Sequence, residues 1–334
     1  MRLGITIPFD PFQNRHIVDL VRTADRCGYS DAWSFESFAT DGFTPLAAAA
    51  MVSERMRLGT AIIPVFTRPP ALIAMSAATI NQMSGGRYVL GLGISTPNIV
   101  QQWMGVPFEH PHPRLRETVA AVRAIFRGEK VTMAGKTVRI NGFRMDLAMD
   151  VPPPPVYIGA QGSKMLRMAG EIGDGLIVNF ITAEMLPGML EYTRAGMRAA
   201  GKDPSNLDVV CRIIVAADED EAVARSLLRR SLTAYLTVPQ YNKFFGEMGY
   251  EGEARTAMEL WQRGDRKQAL ESVPDRMVEA IYIIGDAKRC RQRIDEFIRA
   301  GVTTTALQFV SFAPTPEERR ARILRAIENV AKAG

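Results

Sequence analysis

YVLGLGIS at residues 88–95 and VYIGAQGSKMLRMAGEIGDG at 156–175 decide the fold. In each, a short apolar run ends in a glycine-rich turn and gives way to a helical pattern. A strand, a glycine turn and a helix start together make a seat for a phosphate-bearing ligand. The N–H groups of a helix start lack intrahelical partners, and the helix dipole favours negative charge there. Two such turns, one in each half of the chain, predict one extended cofactor held from several strand ends.

Outward from these blocks the same alternation repeats. Strand-like runs at 5–9, 31–36, 57–63, 88–93, 156–160, 175–179, 207–216 and 304–310 are each followed by a helical pattern. The strands are apolar throughout, as a parallel sheet buried on both faces requires. Eight βα units fit a closed (β/α)8 TIM barrel, and 334 residues is an ordinary length for one carrying insertions. An open doubly wound sheet is the alternative, but no early G-x-G-x-x-G follows the first strand. The whole chain, 1–334, is expected to be one barrel domain. Its insertions fall at about 129–155, a small hairpin followed by VPPPP, and at about 236–285, a helical stretch ending in IYIIGD. The second insertion suggests a lid or a contact between copies.

Composition narrows the function. Hydrophobic residues make up 47% of the chain, yet no apolar run is long enough to span a bilayer. The start, MRLGITIPF, lacks the pattern of a signal peptide. Cys27, Cys211 and Cys290 are few and scattered, which predicts buried thiols in a reducing, cytoplasmic setting. The net charge of +5 is dispersed among acids, with no basic block interleaved with aromatics. Nucleic acid is therefore not an expected partner; a small-molecule substrate is.

Three blocks in register over residues 1–312 resemble the bacterial luciferase-like superfamily, and within it the coenzyme F420-dependent branch, which includes methylenetetrahydromethanopterin reductase-like proteins. They are GYSDAWSFES, LGTAIIPVFTRPPALIAMSAATINQMSGGRYVLGLGIS and VYIGAQGSKMLRMAGEIGDGLIVN. The resemblance implies a barrel that forms a homodimer or higher oligomer, with a deazaflavin or flavin ring at the carboxyl ends of the strands. It also implies a bulge behind the ring in the third strand, with a non-prolyl cis peptide joining Ala61 and Ile62. Ala61, Ile62, Gly93, Ser95, Gln161, Gly162, Ser163 and Asn179 then fall at cofactor-binding positions. Gln161 to Ser163 take the phosphate at the fifth helix start.

Glu36 falls where relatives place an acid at the ring's polar edge. Ser37 replaces the histidine that often follows, and no glutamate follows Gly93. The proton donor of those relatives is thus absent or replaced. His110 and His112 are the candidates for proton transfer, because an imidazole titrates near neutrality. In Glu109-His110-Pro111-His112 no third and fourth ligands appear at recognisable spacing, so no metal is expected. The expected activity is hydride transfer between F420 and a small organic substrate. FMN-dependent monooxygenation is the alternative on the same scaffold, and a non-catalytic cofactor-binding protein is the alternative of another class.

Overall fold

A computed structural model describes residues 2–8, 11–36, 40–147 and 150–334. Eight parallel strands close a barrel: β1 (Arg2–Thr6), β2 (Asp31–Ser34), β3 (Arg57–Thr60), β4 (Tyr88–Gly93), β5 (Val156–Gly159), β6 (Gly175–Asn179), β7 (Asp208–Ala217) and β8 (Thr304–Phe309). Each pairs with the next, and β1 closes the ring on β8 with Ile5 opposite Leu307. The expected barrel stands and the open sheet does not. Every residue of β4 is buried, because its outer face meets helices and its inner face meets the barrel core.

Helices coat the outside: α1 (Ile17–Arg26), α2 (Thr44–Ala50), α3 (Pro70–Met83), α4 (Pro111–Phe126), α5 (Ser163–Ile172) and α6 (Leu186–Ala199). The β7–β8 connection carries α7 (Glu221–Leu236), α8 (Pro239–Phe245), α9 (Glu251–Gln262), α10 (Arg266–Glu271), α11 (Asp275–Ile281) and α12 (Ala287–Arg299); α13 (Pro316–Lys332) ends the chain. Asp220, Asp286 and Thr315 cap α7, α12 and α13 by accepting from the backbone N–H three residues on, which satisfies donors that the helix leaves unpaired.

Two segments elaborate the barrel. Val131–Ala134 and Arg139–Phe143 make the antiparallel hairpin. Glu117 on α4 ties it down, accepting from the N–H groups of Lys136, Thr137 and Val138 at 2.8 Å each and from the Thr137 hydroxyl at 2.6 Å. The later insertion builds its own apolar cluster from Leu228, Leu232, Phe245, Met277 and Tyr282, continuous with Phe180 and Ala216 at the barrel end. Its last run, Ile283–Gly285, extends the sheet beside β7. Cys211 and Cys290 are buried as expected; Cys27 is only half-buried, because it falls at the carboxyl end of α1, where the helix surface opens to solvent.

The amino-terminal end of the barrel is closed by charge. Asp31 is fully buried between Arg2 at 2.8 Å and Arg57 at 2.5 Å. Arg57 also reaches Asp208 at 2.7 Å and the Thr304 hydroxyl at 2.8 Å. Above this plug lies an apolar layer of Trp33, Val89, Tyr157, Ile177, Val210 and Ala306. The opposite, carboxyl end is left for the site.

Candidate active site

The third strand breaks where the resemblance places a bulge. Gly59 faces Val89, and pairing resumes with Ile63 opposite Leu92. Four steps on one strand answer three on the other, so one residue is extra. The Ala61–Ile62 peptide is cis. Ala61 N–H donates to the Ser34 carbonyl, and the Ile62 carbonyl accepts from Glu36 N–H. The Ile62 side chain then lies over two glycines. A Cβ at Gly93 would stand 2.9 Å from Ile62 Cγ1 and Cδ1, and one at Gly159 would stand 2.9 Å from Ile62 Cγ2. The absent side chains are what let Ile62 lie across β4 and β5 at the barrel mouth.

The second strand stops at Ser34, so Glu36 lies in the loop just past it, and its carboxylate is already engaged. Arg68 donates to it at 2.7, 3.0 and 3.2 Å, the Thr67 hydroxyl at 3.1 Å and Gly42 N–H at 3.3 Å. Hydrogen bonding to Glu36 raises the Arg68 guanidinium above its ordinary pKa, partly offset by burial. The pair ties the β2 loop to the segment after the bulge. Ser37 lies outside the described residues.

Gln161 and Asn179 are brought together. The Gln161 amide donates at 3.0 Å both to the Asn179 carbonyl and to its side-chain oxygen. Gly162 precedes α5, and no side chain caps that helix. The first intrahelical bond runs from Leu166 N–H to the Gly162 carbonyl, so the N–H groups before it have no helical acceptor. Gly162, Ser163 and Lys164 are exposed, and a Cβ on Gly162 would meet open space. An extended phosphorylated cofactor fits this combination: backbone donors at one end, a glycine-seated hydrophobic bulge at the other.

Ser95 follows Gly93 with φ of 60° and is half-buried. His110, also at positive φ, and His112 are exposed at the start of α4. His16 accepts from Arg15 and lies 3.7 Å from Asp19. Among the described residues, no group of three or more His, Cys, Asp or Glu is placed to hold a metal ion, and no helix is long and apolar enough to cross a membrane.

Sequence reasoning missed the far wall. Arg212 on β7 faces Asn179 across the sheet register, with its guanidinium 4.2 Å from the Phe35 ring centre. Phe180, Tyr235, Tyr241 and Tyr282 cluster beside it. Burial, then the neighbouring Tyr235, pushes the Tyr241 hydroxyl up to about 12, against the lowering effect of Arg212 and Asn179. The signal was available: Arg212 is a charge on the inward phase in the middle of a strand that is apolar apart from its first residue, Asp208.

The class this fold defines is the closed parallel (β/α)8 barrel, here with a glycine-seated bulge and an uncapped fifth helix. Residues 1–304 match the model of the luciferase-like monooxygenase family, and the chain belongs to that family. It is 31% identical over 307 residues to a 5,10-methylenetetrahydromethanopterin reductase of Methanolobus tindarius, covering 91% of this chain and 92% of that one. It is 29% identical over 326 residues to a putative coenzyme F420-dependent oxidoreductase of Mycobacterium tuberculosis, covering 91% and 93%. Among solved structures, the coenzyme F420-dependent tetrahydromethanopterin reductase of Methanopyrus kandleri superposes with a TM-score of 0.76 at 25% identity, over 99% of this chain and 97% of that one.

Proposed function

We propose that this chain is an F420-dependent oxidoreductase that moves a hydride between the deazaflavin C5 and a carbon of a small organic substrate. The observation that carries the reading is the shape of the mouth: Ile62 seated on Gly93 and Gly159 faces the same rim as the uncapped start of α5. The F420-dependent relatives above support the choice of cofactor. When bound, the deazaflavin supplies the hydride chemistry.

The residues supply position and electrostatics. Ala61 and Ile62 back the ring, and Gly93 and Ser95 allow close backbone approach. Gln161 orients Asn179 toward the linker between ring and phosphate. Gly162, Ser163 and the following N–H groups take the phosphate. Glu36 acts by holding Arg68 at the ring's polar edge, and His110 and His112 exchange the proton with solvent. The protein works as one barrel domain, 1–334, in a cytoplasmic homodimer or higher oligomer.

The test is direct titration with oxidised and reduced F420 and with FMN. F420 is expected to bind tighter than FMN. Ser163→Asp places a negative charge at the helix start, where it suits the helix but repels a phosphate. It should lower F420 affinity about tenfold or more, a change worth about 1.4 kcal/mol, with the melting temperature unchanged or raised. Tight FMN binding without F420 binding would favour the flavin monooxygenase and overturn the proposal. F420 binding without turnover of any substrate would leave a cofactor-binding protein instead.

A further inference from the structure

The barrel mouth holds a cation that the cofactor cradle does not use. Arg2, Arg57 and Arg68 each pair with a carboxylate, Asp31, Asp208 or Glu36. Arg212 pairs with none among the described residues. Its side chain's one hydrogen bond among the described residues is a long one, 3.4 Å from Nη1 to Gln308 Oε1. The guanidinium is half-buried and stacked on Phe35. Stacking occupies its face and leaves the edge donors free, and a guanidinium edge is a fork that matches a carboxylate. A desolvated cation without a counter-charge is costly, so an incoming anion gains more here than at the surface.

The surroundings narrow the ligand further. Arg212, Asn179, Phe180, Ile214, Ile281 and Tyr282 line a cavity of about 10 Å³, room for one oxygen atom the size of a water. Tyr282 is 1% exposed, and its hydroxyl, which neighbours the Ser231 side chain, has no partner at full hydrogen-bond geometry among the described residues. Burial holds that hydroxyl in its protonated, donating form. Phe180 is 4.3 Å from Tyr235, tilted by 48°, and 5.8 Å from Tyr241, edge-on, between ring centres, a largely buried aromatic cluster beside the cavity. A charged donor, a buried hydroxyl and an aromatic cluster suit an organic acid with a flat or hydrophobic body.

We propose that the substrate carries a carboxylate and that Arg212 selects it, taking one carboxylate oxygen at the edge of this cavity while the organic part lies against Phe180 and its tyrosines. The proposal rests on reading this mouth as the substrate side of an oxidoreductase, but the binding it requires does not need the cofactor. An anionic group of the cofactor is the other source of the same chemistry, and the experiment separates the two.

Benzoate and its neutral isostere benzamide serve as probes, titrated into the full chain by calorimetry with and without saturating F420. Benzoate should bind at least tenfold tighter than benzamide. Arg212→Met should weaken benzoate at least tenfold and leave benzamide unchanged. Arg212→Lys, which keeps the charge and loses the fork, should fall between them, and Tyr282→Phe should lose a few-fold. Because Arg212→Met breaks no ion pair, its melting temperature should stay close to that of the parent; should it unfold, Arg212→Lys decides the outcome.

Equal binding of the two probes, undiminished benzoate binding by the variants, or no saturable benzoate binding overturns the proposal. Benzoate that displaces F420, or F420 affinity that falls tenfold in Arg212→Met, also overturns it, by giving the guanidinium to the cofactor. A chain that discriminates benzoate but binds no F420 sinks the proposed function and not the anion site.

Discussion

Gly93→Ala is the sharpest perturbation of the site that leaves its chemistry untouched. The added Cβ would lie 2.9 Å from both Ile62 Cγ1 and Ile62 Cδ1, whereas carbon atoms pack best at about 3.5–4.0 Å. The shortfall must be taken up by one side. Gly93 is held by its register with Pro64 and by the bond its carbonyl accepts from Val65 N–H at 3.0 Å. Ile62 is β-branched and stiff at χ1, so it moves as a unit toward the mouth. Overpacking of this kind costs about 1–3 kcal/mol. The displaced side chain also enters the space where the proposed ring lies, so F420 affinity should fall by more than stability does. Ile62→Ala removes the clashing atoms, and in that background Gly93→Ala should cost almost nothing. Urea denaturation and F420 titration of the four proteins in the cycle measure this. Additivity within about 0.5 kcal/mol would show that the two residues do not interact, and the reading of Gly93 as a seat for Ile62 would be wrong. Gly91 is the contrast: its Cβ would fall on the Thr60 carbonyl oxygen, backbone that has no rotamer to change.

Two further outcomes concern the ion pairs. Arg57→Met leaves Asp208 without its cation and Asp31 with Arg2 alone in the barrel floor, and breaking a buried pair from one side costs about 3–5 kcal/mol. Burial pushes the Asp208 carboxyl up, but Arg57 and the hydrogen bonds from Thr303 and Tyr157 outweigh it and hold it below the ordinary carboxylate range. The stability this gives is present above the unfolded-state pKa and is lost as pH falls through the lower folded value. The deficit of Arg57→Met should therefore be largest near neutrality and narrow in acid, as denaturation curves between pH 7 and 3 will show; a deficit independent of pH refutes the assignment. Glu36→Gln keeps the shape of the carboxylate but not its charge toward Arg68. It should destabilise by about 1–3 kcal/mol and raise the KM for F420 with a smaller effect on kcat, in steady-state assays once a substrate is in hand; a change confined to kcat would instead place Glu36 itself in the chemistry.

The strands were legible because each is a continuous apolar run between turn signals, and both insertions showed in composition. The extra residue at Ala61–Ile62 was not legible from the residues themselves. A bulge is a count of one strand against its neighbour, and a single strand does not carry that count; the position came from the resemblance to the family. Glu36 was recognised as a strand-end acid, but its partner Arg68 stands in a different loop and looked like a residue leading into Pro69-Pro70. The floor escaped notice for the same reason. Asp31, Arg57 and Asp208 each begin a strand, where a charge reads as a turn residue, and only barrel closure brings them within 2.7 Å of one another's partners. Arg212 was legible and overlooked: on β7 it shares the inward phase with Asp208 and Val210.

The two ends of the barrel spend their polar groups differently, and that difference points to function. At the amino-terminal end each charge is answered: Asp31 by two arginines, Arg57 by two carboxylates, and Asp208 also by the Tyr157 hydroxyl at 2.7 Å. Such a network left incomplete would cost several kcal/mol, and its completeness makes the floor rigid. At the carboxyl end the chain leaves donors open: the first turn of α5, the edge of Arg212 and the Tyr282 hydroxyl. All of them are donors, and they are distributed over α5, β7 and the helical insertion. Below them, the charges of Asp31, Arg57 and Asp208 are all paired. A ligand rich in acceptors and negative charge answers the open donors, and their spread over three elements asks for more than one anionic group: a phosphate at α5 and a second group at Arg212. The phosphate belongs to the cofactor in the proposed function. The second group is the substrate carboxylate proposed for Arg212, beside the aromatic cluster that the insertion packs against β7.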